Sequence, residues 1–513
     1  MIYSKTICVA KDASLIPVFK NGKPMHSRYN PSAESLPRQE FSGCLIVAGI
    51  GAGFHIKNAL LQNDRICLLV AVEANSESLE FCKQFDAVKE IEAQANVVLC
   101  DAYTLEKTLC ESYIPALHKN ITLVFQRAWE SENLQAARQI NAATKRALDR
   151  LSADFSVQAH FGKLWHTNIL LNLSFISKTT TKAQIEGAVL HSPPPFPIEK
   201  TAAIVAAGPS LDGCIEQIKA GSESGSLFVV AADTTFGTLQ KNGITADAVV
   251  SIDAQQVSSR HFLCTPNSSK TLFVFDLCTN PAIVRFVASK NNTVLFVRTG
   301  HPLSSLANKM LAIPQVDAGG GTVTIAAADW AKNVGFRHLK FFGADFAYLN
   351  GKPYAKGTYL DAQFYGNASR TQTGERSFCA LMFRCNLKKV AGKKDAFTTE
   401  VLERYSASLA EWTKRNAFSL HDGVWIREDS APLANNIAHP ANTSPFNFQR
   451  FMEMLLCEIE ELLSGDEHTL SERILKNEVA VALLPYFAYL KESSLSECLK
   501  LAYRQTVRYN ATL

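Results

Sequence analysis

Residues 202–213, Ala-Ala-Ile-Val-Ala-Ala-Gly-Pro-Ser-Leu-Asp-Gly, constrain the fold more than any other stretch. They read as a buried strand that stops at Gly208 and a turn through Pro209 and Ser210, with a helix following over 214–220. Gly208 has no Cβ, so a ligand phosphate could approach its backbone. Pro209 suits the first turn of a helix, where an N–H would be unpaired anyway. Ser210 puts a hydroxyl beside the free N–H groups of the helix start, an arrangement that attracts anions. An ordinary strand-to-helix turn accounts for the same residues, because short glycine motifs recur by chance.

The next segments repeat the pattern. Apolar runs at 228–232, 247–252, 271–275, 293–297 and 338–342 read as strands. They end at Asp233-Thr234-Thr235, at Asp253, at Asp276, at Arg298-Thr299-Gly300-His301 and at Gly343-Ala344-Asp345. Gly319-Gly320-Gly321-Thr322 precedes an alanine-rich helix over 323–332. Strands separated by helices or loops predict a largely parallel α/β sheet. Such sheets bind ligands at the carboxyl ends of their strands, and here those ends collect Gly, Ser, Thr, Asp and His.

Ahead of this sheet, residues 1–125 outline a Rossmann-like domain. A strand at 44–48 runs into Gly49-Ile50-Gly51-Ala52-Gly53-Phe54, and the next strand, 66–72, ends at Glu73. A glycine turn with an acid some twenty residues on fits a dinucleotide or S-adenosylmethionine site. The polar-proline motif of many amino-group methyltransferases is missing after the strand near Leu123–Phe125, so a retained scaffold is the favoured reading. Residues 126–197 form a helical bridge and linker. Helical periodicity covers 133–155 and 165–173, with Asn168 and Asn172 on one face as interhelical hydrogen bonders. Ser192-Pro-Pro-Pro-Phe-Pro197 breaks regular structure. The sheet domain spans 198–395. A mainly helical region, 396–513, follows, with helices at 400–415, 447–463, 470–490 (kinked at Pro485) and 494–509. Their apolar stripes read as core packing.

Composition narrows the function classes. At 513 residues two or three domains are expected, and 47% apolar content marks a core-forming chain. A net charge of +4 is too small at this length to argue for nucleic acid or an acidic membrane. No nucleic-acid-binding signature occurs, and no apolar run is long enough to span a bilayer. The start lacks a signal-peptide core. The 13 cysteines include no C-x-x-C pair and read as reduced residues of a cytoplasmic protein. No Cys/His metal cluster emerges, and no G-x-x-x-x-G-K-[ST] phosphate loop is present.

Four stretches together resemble the Maf (motility-associated factor) family of flagellin glycosyltransferases, which carries a domain like the 6-hydroxymethylpterin diphosphokinase MptE. They are His26-Ser-Arg-Tyr-Asn-Pro31, Gly49-Ile-Gly-Ala-Gly-Phe-His55, Ala206-Ala-Gly-Pro-Ser-Leu-Asp212 with Val250-Ser-Ile-Asp253, and the run from Phe342 to Gly357. The central domain is also similar to bacterial sialyltransferases, which implies a GT-A-like, sialyltransferase-like α/β fold. The resemblance implies transfer of a pseudaminic or legionaminic type nonulosonic acid from a CMP-activated donor to Ser/Thr of flagellin. It places the donor nucleotide against Gly208, Pro209, Ser210, Asp233, Thr234, Gly320, Gly321, Thr322 and Asp345. Tyr354 and Tyr348 match tyrosines that donate hydrogen bonds to the leaving phosphate, a stabilisation that grows in the transition state. The sialyltransferases use a downstream His as base, but this chain has none between Tyr354 and Leu420. The candidates are His301, then Asp253 or Asp233, then His421. Two other readings stay open. Asp233, Asp253 and Asp345 could converge on Mg²⁺, as a pyrophosphokinase handling ATP and a pterin would need. The chain could also be a flagellin-binding assembly factor without catalysis.

Overall fold

The computed structural model describes residues 1–37, 40–185, 196–268, 270–392, 394–428, 446–466, 469–491 and 494–512, without the side chains of 180–185, 511 and 512. Most of the proline-rich break at 192–197 lies outside the described residues. The chain forms two compact units, one of residues 1–163 with 453–511, the other chiefly of 164–452.

In the first unit, a hairpin of β1 (Tyr3–Val9) and β2 (Leu15–Phe19) precedes β3 (Gly43–Ala48), β4 (Ile66–Glu73), β5 (Val97–Asp101) and β6 (Ile121–Phe125). The last four form a parallel sheet in the order β5-β4-β3-β6. That order is half of a dinucleotide-binding fold, so the Rossmann-like expectation holds. Every residue of β3 is buried, as a near-continuous apolar run requires in a strand covered on both faces.

The helical stretches expected at 133–155 and 165–173 belong to one helix, Leu134–Ile185, of 52 residues. Gly162 sits inside it without breaking it. A Cβ there would overlap the Pro485 carbonyl, so this glycine permits close packing against the helix Glu478–Leu490. The break expected at Pro485 falls instead at Asn477, between Leu470–Lys476 and Glu478–Leu490. The Asn477 side chain accepts from the Ala480 N–H (3.0 Å) and so caps the second helix. No helix among the described residues is long and apolar enough to cross a membrane.

The second unit holds β7 (Thr201–Val205), β8 (Leu227–Ala232), β9 (Ala248–Ser251), β10 (Leu272–Asp276), β11 (Thr293–Val297) and β12 (His338–Phe342), all parallel. Alternate residues point to opposite faces. Ala203, Val205, Val229, Ala231 and Phe273 pack with Ile218, Phe236 and Ile283 on one side. Ala202, Ile204, Val230 and Val250 pack with Ile325, Trp330 and Trp412 on the other. A small antiparallel sheet of β13 (Tyr348–Leu349), β14 (Lys388–Lys389) and β15 (Ala396–Thr398) lies beyond β12 in the chain. The region expected to be helical after 395 also contributes a hairpin, β16 (Phe418–His421) with β17 (Val424–Arg427), and β17 pairs antiparallel with β12.

The sheet order is β11-β10-β9-β8-β7-β12-β17-β16. The chain steps outward from β7 to β11, then crosses back to place β12 on the other side of β7. Such a reversal opens a crevice at the carboxyl ends of the two strands it separates, here β7 and β12.

Candidate functional site at the strand ends

The crevice between β7 and β12 is where the Gly208 turn meets Asp345. The Gly208 N–H donates to the Gly343 carbonyl (2.8 Å), and the Ser210 N–H donates to Asp345 Oδ2 (2.8 Å). Pro209 has no N–H. The donors that the sequence offers to a ligand phosphate are therefore engaged by the chain itself. Gly208 has a φ of −66°, which any residue can adopt. Its missing Cβ matters because one would overlap the Gly343 carbonyl and the Asp345 carboxylate. The close approach is made by the end of β12. The helix expected at 214–220 begins as a 3₁₀ turn, Pro209–Gly213, and continues as Ile215–Glu223.

Asp233 opens the helix Asp233–Lys241 and is 2% exposed. Its Oδ1 accepts from the Thr234 N–H (2.6 Å) and hydroxyl (3.0 Å), and its Oδ2 from the Ser251 hydroxyl (2.6 Å). This ties the end of β8 to β9. Asp253 accepts from the Gln255 N–H (2.9 Å) and from the Ser258 hydroxyl. The three aspartates thus have separate partners. Among the described residues they do not gather their oxygens as a metal would require; the one such grouping lies in the first unit. No step through Mg²⁺ follows from this arrangement.

The segment after β12 brings tyrosines to the same ends. Burial pushes Tyr354 up to about 12, and neighbouring Tyr348, Tyr359, Asp233 and Tyr405 add to the rise. Tyr354 is therefore a phenol that donates at neutral pH and resists ionisation. Burial also raises Tyr348 and Tyr359; nearby Arg260 opposes the rise at Tyr359, while Asp253 and Asp233 reinforce it. Tyr348 and Asp233 thus lie near enough to Tyr354 for their charge to act on it, and Asp253 near enough to act on Tyr359.

A cavity of about 460 Å³ opens beside this cluster, lined by Thr234, Lys241, Arg260, His261, Tyr359 and Gln363 among others. Arg260 lies over the Tyr359 ring, 5.8 Å from its centre, and donates to the Gln363 amide oxygen. Lys241 donates to the Gly357 carbonyl (3.0 Å). Neither cation makes an ion pair among the described residues, so the cavity wall is electropositive. Lys241, Arg260, His261 and Tyr359 were not among the sequence candidates. The signal that could have found them is Ser258-Ser259-Arg260-His261, a polar and basic run just past the Asp253 strand end.

Gly319, Gly320 and Gly321 adopt φ of 50°, 79° and 106° and lead through Thr322 into the helix Val323–Val334. That helix runs back along the sheet to the start of β12, which puts its N-terminus at the carboxyl edge. The Gly321 and Thr322 N–H groups both donate to the Ala318 carbonyl (3.0 and 2.8 Å).

His301 is not brought to the cluster. It follows β11, three strands from β8, about 14 Å at ordinary strand spacing. Its Nδ1 accepts from the Leu303 N–H (3.1 Å), capping Pro302–Ala307. Its Nε2 is buried without a partner. Burial, then nearby His166, drives its pKa down to about 3. A capping imidazole enclosed in this way is badly placed to receive an acceptor proton. His421 lies on the outermost strand, β16, bonded to Ser419 (2.9 Å). Asn168 and Asn172 do not bond another helix as expected. They donate to the carbonyls of Ala254 and Cys278, and of Leu277 and Thr279, pinning the loops after β9 and β10.

The glycine turn of the first unit is filled. A Cβ on Gly49 would overlap the Trp129 ring, and one on Gly51 would overlap Met25 and His26. Glu73 is fully buried. It accepts from the Tyr3 hydroxyl (3.0 Å), the Ile50 N–H (3.1 Å), the Ala74 N–H (2.8 Å) and the Trp129 indole N–H (2.6 Å). A ribose has no access to it. The Ala52 N–H donates to His26 Nε2 (2.9 Å), and His26 Nδ1 lies 2.7 Å from Glu34 Oε2. His26, Glu34 and His55 offer ligand atoms within 4.8 Å of one another, a grouping that no spacing in the chain suggests. The hydrogen bonds argue against a metal there. His26 accepts at Nε2, so its one proton sits on Nδ1 and points at Glu34. A metal at Nδ1 would leave the Ala52 N–H facing a protonated nitrogen. Met25 and His26 instead fill the glycine turn.

Residues 167–351 match the family described as 6-hydroxymethylpterin diphosphokinase MptE-like. Over its whole length the chain superposes on the Maf glycosyltransferase of Magnetospirillum magneticum AMB-1, with a TM-score of 0.57 and 16% identity, covering 99% of this chain and 91% of that one. The central domain is MptE-like, on the fold of a Maf glycosyltransferase. Two uncharacterized proteins of Treponema pallidum (strain Nichols) are similar in sequence. One is 35% identical over 154 residues, 30% of this chain and 55% of that protein. The other is 33% identical over 159 residues, 31% of this chain and 70% of that protein. The chain belongs to one family with the latter, and it spans about half the length of the former.

Proposed function

We propose that the chain is a glycosyltransferase that moves a pseudaminic or legionaminic type nonulosonic acid from a CMP-activated donor to Ser/Thr of flagellin. The observation that carries this reading is Tyr354, a phenol held protonated beside Asp233 at the strand ends, next to a cavity bordered by Lys241 and Arg260. Departure of CMP builds negative charge on its phosphate. A phenol that cannot ionise donates a hydrogen bond to that charge, and nearby cations strengthen its hold. The fold shared with a Maf glycosyltransferase supports the same reading. Separate partners for the three aspartates weigh against a pyrophosphokinase, whose triphosphate substrate depends on Mg²⁺.

The test is calorimetric titration with CMP and with ATP–Mg²⁺, followed by CMP release from CMP-pseudaminic acid in the presence of flagellin. We expect CMP to bind. We expect Tyr354→Phe to slow release roughly 10²–10³-fold, as loss of one such donor does elsewhere. Binding of ATP without CMP would overturn the reading in favour of the pyrophosphokinase. Binding of neither would leave a flagellin-binding factor.

A further inference from the structure

Transfer to a hydroxyl needs a group that takes its proton, and His301 is enclosed and committed to a helix cap. We propose that His261 is this general base, an assignment that rests on the glycosyltransferase reading. Five histidines of the second unit are described. His166 is buried in the long helix. His338 opens β12 at the opposite edge of the sheet. His421 is on the outermost strand, and His301 is three strands from β8. His261 alone among them lines the cavity at the strand ends.

Its position is set by the segment that carries it and by one ring contact. The 3₁₀ segment Gln256–Phe262 carries it, and Ser258 of that segment bonds Asp253, fixing the segment to the end of β9. The ring meets the Tyr359 ring edge to face, with centroids 4.8 Å apart. Tyr359 is in turn coupled to Asp233, as is Tyr354. His261 Nδ1 is buried and has no hydrogen-bond partner, and no hydrogen bond engages Nε2 among the described residues. An imidazole with no structural bond, set in a cavity wall, is free to accept from a ligand. The charged and titratable groups around it are Arg260, Lys241, Tyr359, Asp253, Asp233 and the Cys264 thiol, which donates to the His261 carbonyl.

The step balances as follows. The acceptor oxygen bonds to the anomeric carbon of the sugar while that carbon's bond to the phosphate oxygen breaks. The bonding pair leaves with CMP, and the acceptor proton passes to His261 Nε2.

The experiment compares wild type with His261→Asn and His261→Gln in the full chain. It measures CMP affinity by calorimetry, Tm, and CMP release from CMP-pseudaminic acid and CMP-legionaminic acid with flagellin across pH 5–9. We expect release to fall about 10²–10⁴-fold with CMP affinity and Tm close to wild type. The acidic limb of the wild-type pH profile should vanish in both variants. Release within threefold of wild type in either folded variant, or an acidic limb that survives in it, overturns the proposal while leaving the glycosyltransferase reading intact. Wild type that binds no CMP and releases none from either donor ends that reading, and the assignment of His261 falls with it.

Discussion

His301→Asn separates a structural histidine from a catalytic one by the way stability responds to acid. The folded chain holds His301 near a pKa of about 3, against about 6.5 for an unfolded histidine. Part of the residue remains accessible, but Nε2 is enclosed, and Nδ1, the nitrogen that must take the proton, already accepts from the Leu303 N–H. The folded pKa is the lower one, so on acidification the unfolded chain gains the proton first. Stability that is full above pH 6.5 is therefore lost steadily down to about pH 3. At pH 5 the loss from this one group is about 2 kcal/mol, 1.5 pH units at about 1.4 kcal/mol each. Asparagine is a good helix cap, so the Leu303 N–H keeps an acceptor in the variant. The lost ring contact with Trp165 costs the same at every pH. Urea unfolding followed by tryptophan fluorescence at pH 7.5 and 5.0 gives the comparison. The variant should lose about 2 kcal/mol less than wild type between the two conditions. Equal losses would mean that His301 protonates freely in the folded protein, and the enclosure argument against it as a base would fail.

Two further substitutions probe the filled glycine turns. Glu73→Ala leaves the Trp129 indole and two backbone N–H groups buried without an acceptor, and the Tyr3 hydroxyl with only the Met25 sulfur. It should cost more than about 3 kcal/mol, seen as a large drop in Tm, and an unchanged Tm would show that water reaches the site. Gly208→Ala forces a methyl group onto the Gly343 carbonyl and Asp345 and should cost about 1–3 kcal/mol in urea denaturation; a neutral result would mean that β12 can withdraw from the turn.

Much of the fold was readable because its strands are short apolar runs, several of them wholly buried, with polar residues or glycine at their ends. The runs at 293–297 and 338–342 coincide with β11 and β12, and the rest shift by a residue or two. The hairpin 418–427 was not readable. Leu420 is 55% exposed, and β16 and β17 have four residues each, so no apolar run marks them. Helical periodicity marks the long helix over 133–155 and 165–173, and Gly162 between them packs against Pro485 without interrupting it. The three-dimensional site was legible only in part. Asp233, Tyr348 and Tyr354 were named from the sequence, and Tyr354 lies near enough to the other two for their charge to act on it. Lys241, Arg260 and His261 escaped notice because they come from a helix end and a 3₁₀ segment brought together by the sheet.

The two glycine turns share a cause for what misled the reading of each. A missing Cβ reports that something comes close; it does not report what. At Gly51 the neighbours are Met25 and His26, and at Gly208 they are Gly343 and Asp345. The second case carries a charge argument as well. The Asp345 carboxylate accepts from the Ser210 N–H, so an anion arriving at that turn would meet a negative charge already seated there. A phosphate would have to displace it or bind elsewhere along the edge. The wall of the neighbouring cavity offers Lys241 and Arg260, neither paired with a carboxylate among the described residues. Electrostatics therefore favours the cavity past β8 and β9, where Tyr359 and His261 also lie, over the glycine turn after β7 as a place for an anion.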